Sequence, residues 1–151
     1  MVPFEVREHV DAYAARRGVR TLAQEIGFGK IAVQELEIVV SELCSNIVKY
    51  GIHGTIGLAR IRDATFGPGL AMDARDFGPP FHDLTLALKD GCNDRGPIDP
   101  GTLMKRRGLG TGLGAVVRLT DSLDVTAEPG GKLIRVQRYL HRPRSPGSRW
   151  T

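Results

Sequence analysis

The sequence predicts an α+β fold, a two-layer sandwich in which a mostly antiparallel sheet is backed by helices. Three observations predict it. Apolar residues recur every three or four positions through residues 9–50, apolar and polar residues alternate through 55–62 ahead of a Gly/Pro turn and a strand-like partner at 67–76, and two further strand-like stretches lie at 122–140. Helical blocks and strand blocks in this order bury their apolar sides by stacking helices on a sheet.

The elements follow in order. Residues 2–6 suit a short strand. From His9 to Gly27, Val10, Tyr13, Ala14, Val19, Leu22, Ala23 and Ile26 keep helical spacing, and Gly27 is a stop signal; Gly18 weakens the helix locally. A second helix is expected from about Ile31 to Tyr50, with Leu36, Val40, Leu43 and Ile47 as its stripe and Gly51 closing it. TIGLARIR (55–62) and GPGLAMDARD (67–76) read as antiparallel strands across a Gly/Pro turn. Leu84–Leu88 suggests a short helix. Residues 90–107 show no period and are dense in Gly, Pro and charge, which marks a long functional loop, a lid. A third helix is expected from about Gly112 to Asp121, then strands at about 122–128 and 132–140 joined by a PGG turn.

With 151 residues and no internal repeat, one domain is expected over 1–140, followed by a basic, solvated tail at 141–151. The net charge of +4 belongs largely to that tail, which holds Arg142, Arg144 and Arg149 and no acid. Without it, 18 basic residues face 17 acidic ones. A nearly neutral body argues against a nucleic-acid binder, which spreads basic residues over a folded face. No run of eighteen apolar residues marks a membrane span, and the N-terminus lacks the apolar core of a signal peptide. Cys44 and Cys92 are too few for a disulfide framework or a metal cluster, as expected of a cytoplasmic protein. The four histidines show no metal-ligand spacing.

Three motifs carry candidate chemistry. In SELCSN, Glu42 and Asn46 stand four apart on one face of an apolar helix. Buried there, they would need a partner such as a hard cation with its polyphosphate. Asn46 offers a carbonyl oxygen to Mg²⁺, Glu42 can orient or deprotonate a hydroxyl, and Lys49 lies one turn from Asn46. An exposed helix edge is the alternative reading of the pair. In DARDFGPPF, Asp76 at a strand end can accept from an exocyclic amine such as that of adenine, and Gly78 lets a planar ring approach; an ordinary turn is the alternative. In RRGLGTGLGA, Gly108, Gly110, Gly112 and Gly114 alternate and lead into a helix, a pattern that favours a phosphate cradle over a flexible hinge. No strand precedes it and no Gly-Lys-Ser/Thr follows, so neither the dinucleotide fingerprint nor the Walker motif applies.

The order of these motifs, E-x-x-x-N, D-x-G, a long loop and alternating glycines, resembles the GHKL ATPase superfamily of gyrase B, the histidine kinases and the MutL proteins. Over residues 8–140, LAQEIGFGKIAVQELEIVVSELCSNIVKYG, DFGPP, LALKDG and GLGTGLGAVVRLTD look most like the RsbT-type switch-protein serine kinases and the related anti-sigma factor kinases. The resemblance implies an ATP-binding fold with Glu42 as catalytic base and Asn46 as Mg²⁺ ligand. It implies Asp76, Gly78, Gly108, Gly110, Thr111, Gly112, Leu113 and Gly114 as nucleotide-binding residues and residues 90–107 as the ATP lid, beside Lys49, whose helix position already suits it to phosphate oxygens. It further implies a protein serine/threonine kinase in a partner-switching module. The substrate would be a STAS-domain antagonist, a PP2C-type phosphatase or a sigma factor a second partner, and a homodimer a possible state. A binding protein that sequesters its partner is the rival reading. Two positions depart from the family pattern: Pro80 stands where a second glycine is usual, and Gly130-Gly131-Lys132-Leu133 replaces the usual Gly-Thr of the penultimate strand.

Overall fold

In the computed structural model the chain forms a five-stranded antiparallel sheet with helices packed on one face. The structure describes residues 1–79, 88, 92–93, 96–97 and 112–144. In chain order these form β1 (Val2–Val6), a 3-10 turn (His9–Asp11), α1 (Ala12–Ile26), α2 (Lys30–Tyr50), β2 (Gly54–Asp63) and β3 (Gly67–Asp76). Then come β4 (Cys92–Asn93), β5 (Gly96–Pro97), α3 (Leu113–Leu119), β6 (Ser122–Glu128) and β7 (Gly131–Tyr139). The sheet runs β1-β2-β3-β7-β6, each strand antiparallel to its neighbour.

Alternation decides which face meets the helices. Ile56 and Leu58 of β2, Leu70 and Met72 of β3, and Ile134 and Val136 of β7 enter the core. α2 lies over the sheet between α1 and α3, so it is covered on several sides: Val33, Leu36, Val39, Val40, Leu43 and Ile47 are all buried. Arg138, on the same face of β7, ties the layers together by donating to Glu35 of α2 and to the Leu119 carbonyl of α3, both at 3.2 Å.

The helix ends have local causes. The backbone amides of Arg7 and Glu8 donate to the Asp11 carboxylate at 2.8 and 3.0 Å, closing the turn before α1 and holding that carboxyl below its ordinary pKa. α1 ends at Gly27, whose φ of 112° returns amide hydrogen bonds to the Ala23 and Gln24 carbonyls. The first helix was expected to begin at His9 with Val10 and Tyr13 inside. The 3-10 turn changes the helical phase, and both side chains are about half exposed. Gly18, expected to weaken α1, has a packing reason: a Cβ there would lie 2.5 Å from the Phe4 ring of β1.

Other differences are confined. The third helix stops at Leu119, because Thr120 turns extended and its hydroxyl donates back to the Val116 carbonyl at 2.7 Å. Within the stretch read as an irregular lid, Cys92–Asn93 pairs with Gly96–Pro97 as a two-residue antiparallel ladder. Beyond β7 the chain is not free at once: Arg144 pairs with Asp121 and donates to the Arg118 carbonyl at 2.7 Å, and Arg142 lies over the Phe66 ring. The helix expected at 84–88, except Leu88 in a turn, lies outside the described residues. So do the remainder of 90–107, Pro80, Gly108, Gly110, Thr111 and residues 145–151. No helix among the described residues is long and apolar enough to cross a membrane.

Candidate functional site

Strand register assembles one end of the site. Gly54 of β2 stands opposite Asp76 of β3, and Asp76 stands opposite Lys132 of β7. By alternation both Asp76 and Lys132 share the helix-facing side with Ile134 and Val136. The C-terminal end of α2 arrives at the same point. A Cβ on Gly51 would lie 2.7 Å from Asp76 Cβ and Cγ, and one on Gly78 would lie 2.6 Å from Gly51 Cα. Glycines 51, 54, 78 and 131 therefore let four backbone segments close around one carboxylate.

Asp76 is buried and its two oxygens differ. Oδ1 accepts from the Gly78 amide at 2.9 Å and from the Lys132 ammonium at 3.0 Å. Oδ2 is buried with no hydrogen-bond partner among the described residues. Lys132 is itself 2% exposed and also donates to the Pro79 carbonyl at 2.9 Å, stapling the Asp-Phe-Gly-Pro turn to β7. The ordinary-turn reading of DFGPP does not account for a buried acceptor left open inside an ion pair, since such an oxygen costs about 1–3 kcal/mol unless a donor meets it.

The Gly-Gly-Lys-Leu segment leads from the turn after β6 into the last strand, β7, close to the strand expected at 132–140. Sequence reasoning misses Lys132 as the partner of Asp76. Its signal was available: it alternates with Ile134 and Val136 on an inward face, where an unpaired ammonium would be prohibitive.

From Gly51 the site extends back along α2. Asn46 lies about one helical turn before Tyr50 and Glu42 one turn further, a row of about 12 Å along the axis. Glu42 is 1% exposed and Asn46 6%. These values exclude the exposed helix edge as the explanation of the pair. Asn46 Nδ2 and the hydroxyl of Ser45 are buried with no hydrogen-bond partner among the described residues. Lys49 is partly buried on the last turn of the helix. The next residue but two, Ile52, has a left-handed φ of 70° and is exposed.

α3 packs on α2 and carries the end of the glycine-rich motif. Gly112 precedes it with φ 70° and ψ −152°, a backbone region essentially reserved for glycine. Leu113 and Gly114 are buried in its first turn. Of the predicted site residues, the structure thus brings Asp76 and Gly78 against the end of α2, and sets Glu42, Asn46 and Lys49 along that helix. Gly112, Leu113 and Gly114 lie at the start of its neighbour.

These features set out an elongated polar arrangement inside an apolar fold: an open carboxylate acceptor at the sheet end, buried polar groups along a helix, and a glycine turn beside it. A nucleotide fits this chemistry, with a base donor for Asp76 Oδ2, a phosphate oxygen to accept from Asn46 Nδ2, and a phosphate-bound cation for the carbonyl oxygen of Asn46. Known proteins point the same way. The histidine kinase-like ATPase domain family matches residues 5–138. The serine/threonine-protein kinase RsbT of Bacillus subtilis is 33% identical over 131 residues, 86% of this chain and 90% of its own. Among solved structures, the RsbU and RsbW domains of a Mycobacterium tuberculosis protein superpose with a TM-score of 0.57 at 16% identity. That match covers all of this chain and 35% of that one. The SiaB–SiaC complex from Pseudomonas aeruginosa gives a TM-score of 0.51 at 13% identity over 91% of this chain and 89% of the other.

Proposed function

The chain belongs to the histidine kinase-like ATPase (GHKL) family, and from that premise we propose that it is an ATP- and Mg²⁺-dependent protein serine/threonine kinase of a partner-switching module. The observation that carries the reading is the burial of Glu42 and Asn46 on one face of α2, in line with the open acceptor of Asp76. Asp76 and Gly78 hold the base, and Gly108, Gly110, Thr111, Gly112, Leu113 and Gly114 surround the phosphates, with Lys49 as a further phosphate contact. Among the described residues no group of three potential metal ligands gathers. Asn46 would therefore hold Mg²⁺ together with phosphate oxygens, as is usual for that ion. When bound, the ion neutralises charge on the transferring group.

In the transfer, a serine or threonine hydroxyl of the substrate attacks the γ-phosphorus and the bond to the β,γ-bridging oxygen breaks, releasing ADP. Glu42 takes the hydroxyl proton. The likeness to RsbT supports a kinase; the substrate proposed from the motif resemblance is a STAS-domain antagonist, with a PP2C-type phosphatase or a sigma factor as second partner. The test is transfer of labelled γ-phosphate to a STAS protein. Glu42→Gln is expected to lose at least a hundredfold in rate while ATP affinity stays within a few-fold. Equal loss of affinity and rate would refute the base assignment. A sequestering protein that uses ATP only as a structural ligand, or not at all, is the second reading, favoured by Pro80 and Leu133 where the family pattern has a glycine and a threonine. Under that reading Asn46→Ala alters partner binding rather than phosphorylation alone.

A further inference from the structure

We propose that Lys132 is the positioning residue that sets base selectivity in this pocket, by committing Asp76 to a 6-amino purine. The inference rests on the nucleotide-site reading above. A carboxylate oxygen has about two acceptor positions. On Asp76 Oδ1 both are taken, by the Gly78 amide and the Lys132 ammonium. Oδ2 is buried and takes no donor among the described residues. The ion pair makes the group acceptor-only, so the position it offers to a base suits an exocyclic amine and opposes a 6-oxo group, which is itself an acceptor.

Lys132 also fixes where that oxygen sits. Its second hydrogen bond, to the Pro79 carbonyl, ties the turn carrying Gly78 to the start of β7. Packing on the other side comes from Gly51, whose absent Cβ leaves the α2 terminus against Asp76 Cβ and Cγ. The carboxylate is thus held by helix, turn and strand at once. Without the ammonium, Oδ1 has a vacant acceptor position and the carboxylate loses its anchor on β7, so neither oxygen is held where it distinguishes a 6-amino from a 6-oxo group. Selectivity then falls even if the pocket still closes on a purine.

The experiment measures dissociation constants of ATP and ITP, by competition against a fluorescent nucleotide, for the wild-type chain, Lys132→Met and Lys132→Ala. Each protein's fold is checked by circular dichroism and thermal melting. The wild type is expected to prefer ATP over ITP by about tenfold or more, the discrimination given by one hydrogen bond to a charged group. In either folded variant the ratio is expected to fall several-fold toward one. If Lys132→Met does not fold, Lys132→Ala, which removes the donor and leaves the strand backbone unchanged, decides. Wild-type selectivity retained in a folded variant overturns the role of Lys132 alone, as does a wild type that binds ATP and ITP equally. A wild type that binds neither nucleotide overturns the site reading, and this inference with it.

Discussion

Two adjacent glycines at the start of β7 should respond differently to the same methyl group, one losing stability and nucleotide affinity together and the other stability alone. A Cβ on Gly131 would lie 1.9 Å from the Asp76 carbonyl oxygen and 3.2 Å from Phe77 Cα, backbone atoms that cannot rotate away. Relief requires the β7 start to move about 1 Å from the end of β3, an overpacking that costs about 1–3 kcal/mol. The movement also pulls Lys132 from the 3.0 Å and 2.9 Å hydrogen bonds that hold Asp76 and Pro79. For Gly131→Ala, Tm is therefore expected to fall by about 3–10 °C, and ATP affinity by about tenfold, through loss of a charged hydrogen bond. Gly130→Ala is the control. Nothing lies within 4 Å of its Cβ position, but its φ is +76°, so it costs about 1–2 kcal/mol of backbone strain and leaves ATP affinity unchanged. Thermal melts and ATP titrations of both variants decide the matter. A Gly131→Ala protein with wild-type Tm and wild-type affinity would show that β3 and β7 are not locked at Asp76.

Two predictions concern other parts of the molecule. Burial pushes the Cys44 thiol from 9.0 up to about 12, so the folded chain keeps its proton where the unfolded chain has lost it. Stability is expected to decline as pH rises between about 9 and 12, by up to about 1.4 kcal/mol per pH unit; urea melts of wild type and Cys44→Ala across that range should show the added slope only in the wild type. Ile52, exposed and β-branched at φ 70°, is strained. Ile52→Gly is expected to raise stability by about 1 kcal/mol, and a lower urea midpoint would contradict that.

Legibility from sequence followed the physics that dominates each element. β2, β3 and α2 were readable because burial alone decides them: alternation over ten-residue strands and a 3.6-residue stripe admit few other arrangements. The start of α1 was misjudged because Val10 and Tyr13 fit the helical period, whereas a carboxylate three residues after Glu8 sets a 3-10 turn that periodicity does not encode. Asp76 was legible from its turn, but not the residue that partners it. The Asp76–Lys132 pair joins positions 56 residues apart, and such a contact exists only once register is known. Gly51 closes α2 as its spacing predicts, but local spacing could not tell that Gly51 and Gly54 also pack directly against Asp76.

The distribution of unsatisfied polar atoms gives the fold and the site one explanation. Asn46 Nδ2, the Ser45 hydroxyl and Asp76 Oδ2 are each buried with no hydrogen bond among the described residues. A buried group in that condition costs about 1–3 kcal/mol, a large share of the total stability of a small domain. Random imperfections would scatter across the molecule, yet these occur on α2 and at the adjoining end of β3. The same helix supplies Leu36, Val39, Val40, Leu43 and Ile47, all essentially inaccessible, and that apolar stripe keeps the helix in place despite the polar residues beside it. A ligand that donates to Asp76 and meets Asn46 binds the folded state alone. At a hundred times its dissociation constant it adds about 2.7 kcal/mol, comparable to what one or two of those groups withhold. The layer that holds the fold together and the layer that waits for a nucleotide are therefore two sides of α2.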